Sequence, residues 1–181
     1  MNVVEQSKER LDAINPETTV IGQSVERLDA IKKVTGTAVF ADDIQFSRPL
    51  YAQVVRSPHA HANILSIDLT AAKALPGVRS VITGECYKRR AGLYLEDKNF
   101  IAVGKARYRG EPVAAVAADS PELARRACEL VKVEYEVLPA VTDSLEGMKP
   151  DAPIIHPDLG SYKVLPIFYP KPGTNISHHY V

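Results

Sequence analysis

Val113-Ala-Ala-Val-Ala-Ala118 is apolar at every position, and Ser120-Pro121 follows it almost at once. A run with no polar face reads as a buried strand. Ser can cap a helix and Pro suits its first position, so a helix is expected to begin there. Over Pro121 to Val131, Leu123, Ala127 and Leu130 share one apolar face with Ala124, Cys128 and Val131. Val133-Glu-Tyr-Glu-Val137 then alternates cleanly, which predicts a half-exposed strand.

Upstream, the pattern predicts strands at Thr37 to Ala41, Leu50 to Arg56, Asn63 to Asp68 and Val78 to Ile82. Hairpin-like connections are expected among the earlier ones. Between the last two, Thr70 to Leu75 reads as a short helix capped by Thr70 and stopped by Pro76-Gly77. Gly84 to Asn99 is polar and aromatic without a clear period, and is expected to be a loop with some local helix. Irregular alternation of this kind points to an α+β domain over residues 19–145. Residues 1–18 read as a mobile N-terminal arm or a short helix. Residues 146–181, which carry six prolines from Pro150 to Pro172, read as an extended tail that reaches toward something else. The repeated Arg-Leu-Asp-Ala-Ile at residues 10–14 and 27–31 is too short to be a structural repeat.

Twenty-two basic and 22 acidic residues balance to a formal charge of zero, which argues against a global attraction to nucleic acid or to an anionic membrane. There is no apolar run of membrane-crossing length and no signal-like leader, so a cytoplasmic chain is expected. Cys86 and Cys128 are too few for a disulfide framework, a zinc knuckle or an iron-sulfur motif. No GxGxxG or GxxxxGKS follows a strand, so nucleotide binding is not expected. Asn175-Ile176-Ser177 matches a glycosylation sequon, which has no meaning in the cytoplasm.

His59 and His61 are the sharpest chemical candidates, since two histidines one residue apart lie on one side of an extended chain. A metal needs three or four ligands, and His156, His178 and His179 all lie in the tail. The pair is therefore expected to sit at a turn and a strand edge. Asp42-Asp43 reads as a solvated turn, because adjacent strand residues point to opposite faces. Lys88-Arg89-Arg90 reads as a solvated loop with a lesser prospect of gripping a phosphate or an acidic partner. Glu111, in Arg107-Tyr-Arg-Gly-Glu-Pro112, has the chemistry of a general base but no evident partner nearby in sequence. No catalytic, cofactor-binding or metal-ligating residue is assigned.

Several stretches, in order, resemble the start of the molybdenum-binding subunit of the xanthine dehydrogenase and aldehyde oxidase family, which includes carbon monoxide dehydrogenase and hydroxybenzoyl-CoA reductase. They are Ile21-Gly-Gln-Ser-Val-Glu-Arg-Leu-Asp-Ala30, Lys33-Val-Thr-Gly36, Ala41-Asp-Asp-Ile44, Leu50-Tyr-Ala52, Arg56-Ser-Pro-His-Ala-His-Ala62, Leu75-Pro-Gly-Val78, Arg107-Tyr-Arg-Gly-Glu-Pro-Val113 and Val133-Glu-Tyr-Glu-Val-Leu-Pro-Ala140. The resemblance implies an α/β hammerhead domain. It also implies a complete enzyme in which molybdopterin, iron-sulfur clusters and often FAD serve hydroxylation or reductive dehydroxylation of a heterocycle, aldehyde or acyl-CoA. The family's cofactor loops and catalytic glutamate have no counterpart among these residues, so no active-site residue carries over. The expected role is that of a scaffold and subunit interface whose partners are a molybdopterin-binding catalytic region and iron-sulfur and flavin subunits. Either a split subunit or a fragment of a longer protein fits that expectation. The alternative is a small stand-alone metal- or ligand-binding module using His59 and His61.

Overall fold

In the computed structural model, residues 27–180 are described, and the chain divides between Ser47 and Arg48 into two units. The expected arm at 1–18 lies outside the described residues. In the first unit a single-turn helix α1 (Ala30–Val34) is followed by a 3₁₀ turn at Ala41–Asp43. The strand expected at Thr37 to Ala41 does not form. Gly36 takes φ +71°, and the amides of Thr37 and Ala38 both donate to the Lys32 carbonyl at 2.9 Å, so they are spent on a turn instead of a ladder.

The second unit holds β1 (Tyr51–Arg56), β2 (Ala62–Asp68), α2 (Thr70–Ala74), β3 (Val78–Thr83), β4 (Arg90–Ala91), β5 (Lys98–Asn99), β6 (Lys105–Ala106), β7 (Pro112–Ala118), α3 (Pro121–Glu129), β8 (Lys132–Val137) and α4 (Ser144–Gly147). One antiparallel sheet runs β1-β7-β3 and a second runs β6-β2-β8, with β4-β5 as a separate hairpin. The apolar run Val113 to Ala118 is thus the central strand of the first sheet, and Val113 and Ala114 are fully buried.

The hairpin expected between the early strands is corrected. β1 and β2 are consecutive in sequence but belong to different sheets, because residues 58–61 bend the chain from one to the other. Such a corner leaves both strands free to pair with later ones. The register of β2 on β8 shifts between Ile64 and Ser66, and Leu65 there is exposed. Thr70 is also not the cap of its helix. It is the first helical residue, and the Asp68 carboxylate accepts its N–H at 2.9 Å. Ser120 does cap α3, its hydroxyl accepting the Leu123 N–H at 3.2 Å.

The main core joins both sheets and two helices: Val81, Ala114 and Val116 from the first sheet, Ala72 from α2, and Ala127 and Val131 from α3 and its end, flanked by Ile67 and Val133 of the second sheet. Its small side chains let α3 approach β7 closely. Ala127→Leu would insert three carbons into a site with no accessible surface. It is expected to lower unfolding free energy by about 1–3 kcal/mol, measured by urea denaturation.

The tail departs from the extended linker expected of it. Leu159 and Tyr162 are buried against Leu95 of the β4-β5 hairpin, Leu95 bridges to Val164, and a 3₁₀ turn spans Leu159–Ser161. The hairpin itself, inside the stretch expected to be a loop, was hidden because its strands are two residues each, too short to show a period.

Candidate functional site

Two of the stretches with sequence character, Arg56 to Ala62 and Arg107 to Val113, meet at one corner of the second unit. The Ser57 N–H donates to the Glu111 carbonyl at 2.9 Å, and the Gly110 N–H donates to the Ser57 carbonyl at 2.8 Å. The Arg56 guanidinium adds a bond to the Gly110 carbonyl at 2.8 Å. Gly110 sits at φ +90°, which disfavours a side chain there. The Ser57 hydroxyl closes the bend, accepting from the His59 N–H at 3.1 Å and donating to the His59 carbonyl at 3.0 Å.

Because residues 58–61 bend, the two histidines do not stand side by side as on an extended strand. His59 packs edge-on against Tyr135, ring centroids 5.1 Å apart. His61 lies directly ahead of β2 and is buried. Its Nδ1 lies 2.7 Å from the Pro139 carbonyl, which can only accept, so Nδ1 carries the proton. Nε2 is sealed from solvent without a partner. Among the described residues no group of three or more His, Cys, Asp or Glu is placed to hold a metal ion.

Glu111 is a correction to the sequence reading, which saw no partner for it nearby. It is buried, and its carboxylate accepts the Arg107 N–H at 2.5 Å, four residues back across the turn. Burial pushes its carboxyl above the ordinary value, and the amide and charge of Arg107 oppose that shift. Arg107 donates from Nη1 to the Lys105 carbonyl at 3.2 Å, and its Nε is buried without a partner. The contacts through Ser57, Gly110 and Arg56 join the two loops, so the corner behaves as a latch between them.

The remaining candidates fall elsewhere. In the first unit, Asp43 accepts the Phe40 N–H at 2.8 Å and, like Asp42, is exposed. Lys88 pairs with Glu85 at 2.6 Å, while Arg90 lies 3.6 Å from Asp158 and over the Tyr162 ring at 4.6 Å. His156 meets the Tyr162 hydroxyl at 3.1 Å, and burial, then the charge of Arg107, lowers its pKa. His178 stacks on Phe168 at 4.5 Å. Burial raises the Cys128 thiol, which marks it as a packing residue, and Cys86 is exposed.

Asn175 is a residue whose role sequence reasoning missed. Its Oδ1 accepts the Ile155 N–H at 2.9 Å, and its amide donates to the carbonyls of Gly147 at 3.0 Å and Pro153 at 2.9 Å. No local signal announces a side chain that ties segments 20 and 28 residues away. Asn175→Ala is expected to remove roughly 1–3 kcal/mol from the tail's packing. Limited proteolysis should then cut within residues 144–180 several-fold faster, with the two sheets left intact.

Molybdopterin, implied by the resemblance, does not fit two clefts found among the described residues. One is lined by Ile64, Leu65, Ile67 and Leu69 with Glu85 at its rim and no cation. The other carries Asp143, Glu146 and Asp151, and its Lys149 is already bonded to Glu146 at 2.5 Å. A phosphate-bearing cofactor would meet repulsion in both.

Residues 35–139 match the family described as aldehyde oxidase and xanthine dehydrogenase, a/b hammerhead domain. The chain is 36% identical over 152 residues to the nicotinate dehydrogenase large molybdopterin subunit of Eubacterium barkeri, covering 83% of this chain and 36% of that protein. It is 38% identical over 129 residues to the carbon monoxide dehydrogenase large chain of Afipia carboxidovorans, covering 68% and 16%. Among solved structures it resembles quinoline 2-oxidoreductase from Pseudomonas putida 86, with TM-score 0.67 and 36% identity over 75% of this chain and 19% of that one. A Cu,Mo-containing carbon monoxide dehydrogenase gives TM-score 0.69 and 37% identity over 74% and 17%. The chain thus spans little more than a third, and in most of these cases under a fifth, of the relatives' length.

Proposed function

Because the chain belongs to the aldehyde oxidase and xanthine dehydrogenase family and carries its a/b hammerhead domain, we propose that it acts as scaffold and subunit interface of a molybdenum hydroxylase or dehydrogenase. The chemistry resides in other parts of that enzyme. The observation that supports this reading is the latch, in which Ser57, Arg56 and Glu111 tie Arg56–Ala62 and Arg107–Val113 to one another and His61 ties the corner to the Pro139 carbonyl. A site built for catalysis keeps such groups pointed at where charge develops.

In this reading the complete enzyme holds molybdopterin in a catalytic region outside the described residues and passes electrons through iron-sulfur clusters and a flavin. Nicotinate and carbon monoxide appear in the names of two relatives, and the substrate class that the family resemblance implies here is a heterocycle, aldehyde or acyl-CoA thioester. No described helix is long and apolar enough to cross a membrane. The domain limits are proposed as residues 19–145, followed by a tail from 146 whose Leu159 and Tyr162 pack on the β4-β5 hairpin.

Purification tests this. The chain alone should be free of molybdopterin by cofactor fluorescence and of stoichiometric transition metal, and should form a stable one-to-one complex with a molybdopterin-bearing polypeptide of the family. Oxidation of purines or aldehydes by the isolated chain would sink the reading. So would a bound metal that disappears in a His59→Ala, His61→Ala variant.

A further inference from the structure

The tail is fastened to the β4-β5 hairpin by a short ladder and a small core. The Glu96 N–H donates to the Lys163 carbonyl at 2.9 Å and the Leu165 N–H to the Tyr94 carbonyl at 3.0 Å, around the bridge of Leu95 to Val164. Lys163 also pairs with Glu96 at 3.0 Å. Leu159 and Tyr162 pack on Leu95, and farther along the tail Phe168 stacks on Tyr94 with ring centroids 5.4 Å apart. Two histidines sit at these fastenings, and protonation acts against each.

His178 is an acceptor: the Tyr169 N–H donates to its Nδ1 at 3.1 Å, while its ring stacks on Phe168 at 4.5 Å. An imidazolium carries hydrogen on both ring nitrogens and cannot accept. Protonation therefore replaces this bond by two donors facing each other. His179 is the contrast, since its Nδ1 lies 2.7 Å from the Tyr169 carbonyl and donates, so a second proton leaves that bond in place. The titratable groups around His178 are His179 and the Tyr169 and Tyr180 phenols, whose ring centroids lie 6.1 and 4.8 Å away.

His156 stands edge-on to Tyr162, with its Nδ1 3.1 Å from that hydroxyl. Around it are Lys105 of β6, Arg107 just after it, Arg90 of β4 and Asp97 of the hairpin. Three cations thus face it and one anion. Arg90 is itself engaged, over the Tyr162 ring at 4.6 Å and 3.6 Å from Asp158, so it cannot swing away from a new charge without loosening the same contacts. Burial first, and then the charge of Arg107, hold the His156 pKa below its ordinary value of 6.5. The folded chain binds this proton less tightly than the unfolded one. The linked stabilisation is fully present above pH 6.5 and is lost as pH falls from there to the folded value.

We propose that residues 156–180 form an acid-released strap, closed on the β4-β5 hairpin while His156 and His178 are neutral and parted from it when both are protonated. Opening uncovers Tyr94 and Leu95 and leaves the two larger sheets paired, because the ladder that breaks is separate from theirs. Two protons act on one strap, so the opening is steeper with pH than either histidine alone would make it.

The test follows amide hydrogen exchange of the full 181-residue chain by NMR, each rate referred to the intrinsic rate at its own pH. Between about pH 7.5 and about pH 5, protection of the Glu96 and Leu165 amides is expected to fall roughly ten-fold or more, while that of Val116 in β7 holds. A His156→Gln, His178→Gln double variant keeps hydrogen-bonding groups without the titration, so its protection should stay level over the same range. Glu111, which also titrates, is common to both chains. Should the double variant be open already at the higher pH, the ring-nitrogen chemical shifts of wild type decide, since His156 and His178 must gain their protons over the interval in which Leu165 loses protection. Level protection in wild type, an equal fall in the double variant, or histidines that titrate outside that interval each overturn the proposal.

Discussion

Replacing Gly84 by alanine is expected to cost about 3 kcal/mol or more of unfolding free energy, enough to remove a large share of an ordinary domain's stability. A Cβ there would stand 2.3 Å from the Ala102 carbonyl oxygen and 2.7 Å from that of Ile101. Both are backbone atoms, and both are held. The Ala102 N–H donates to the Pro112 carbonyl at 2.7 Å, which fastens that strip of chain to the start of β7. The methyl group cannot be accommodated by a side chain swinging aside, so the strip must part from β7 or the turn after β3 must open. Gly104→Ala is the control. It has nothing within 4 Å of the added carbon, but its φ of +66° costs an alanine about 1–2 kcal/mol. Urea midpoints should therefore fall in the order wild type, Gly104→Ala, Gly84→Ala. Equal midpoints for the two variants would show that the Ala102 strip moves freely.

Glu111 yields the second large effect, and its sign depends on pH. Glu111→Ala removes the acceptor of the buried turn amide of Arg107 and is expected to cost about 1–3 kcal/mol at any pH. Glu111→Gln keeps an acceptor and removes the titration. Burial raises the folded-state pKa of Glu111 above its ordinary value of 4.5, so the folded chain binds this proton more tightly than the unfolded one. The stabilisation linked to that proton is fully present below the unfolded value and is lost as pH rises through the folded value. Wild type should thus lose ground to the glutamine variant as pH rises from 4.5 to the folded pKa, with the difference level on either side of that window. Urea midpoints of both proteins at half-unit steps from pH 4 to 8 measure the difference, and a flat difference would mean that the carboxyl is not desolvated.

His61 shows how far local reasoning carries. A pair of histidines at i and i+2 invites a metal only if the backbone between them is extended, and Pro58 to His61 is bent. The Ser57-Pro58 step was the visible sign of that bend, whereas the Pro139 carbonyl that takes the His61 proton lies 78 residues away. Glu111 and Arg107 are closer, four residues apart across Gly110, and a carboxylate that reaches back over a glycine turn is a pattern that can be sought in other chains. Asn175 offers nothing comparable, since its three partners come from segments that meet only after the tail has folded.

Periodicity and capping by themselves determined β7, α3 and β8. An apolar run, a Ser-Pro start and a strict alternation are each stated by adjacent residues, and the family was legible for the same reason, as short motifs in order. Tertiary structure alone decided that β1 and β2 part into different sheets and that Leu159 and Tyr162 of the proline-rich tail become core. Pairing partners are chosen by which edges and cavities remain when the whole chain is assembled, and that competition leaves no mark on the residues that win it.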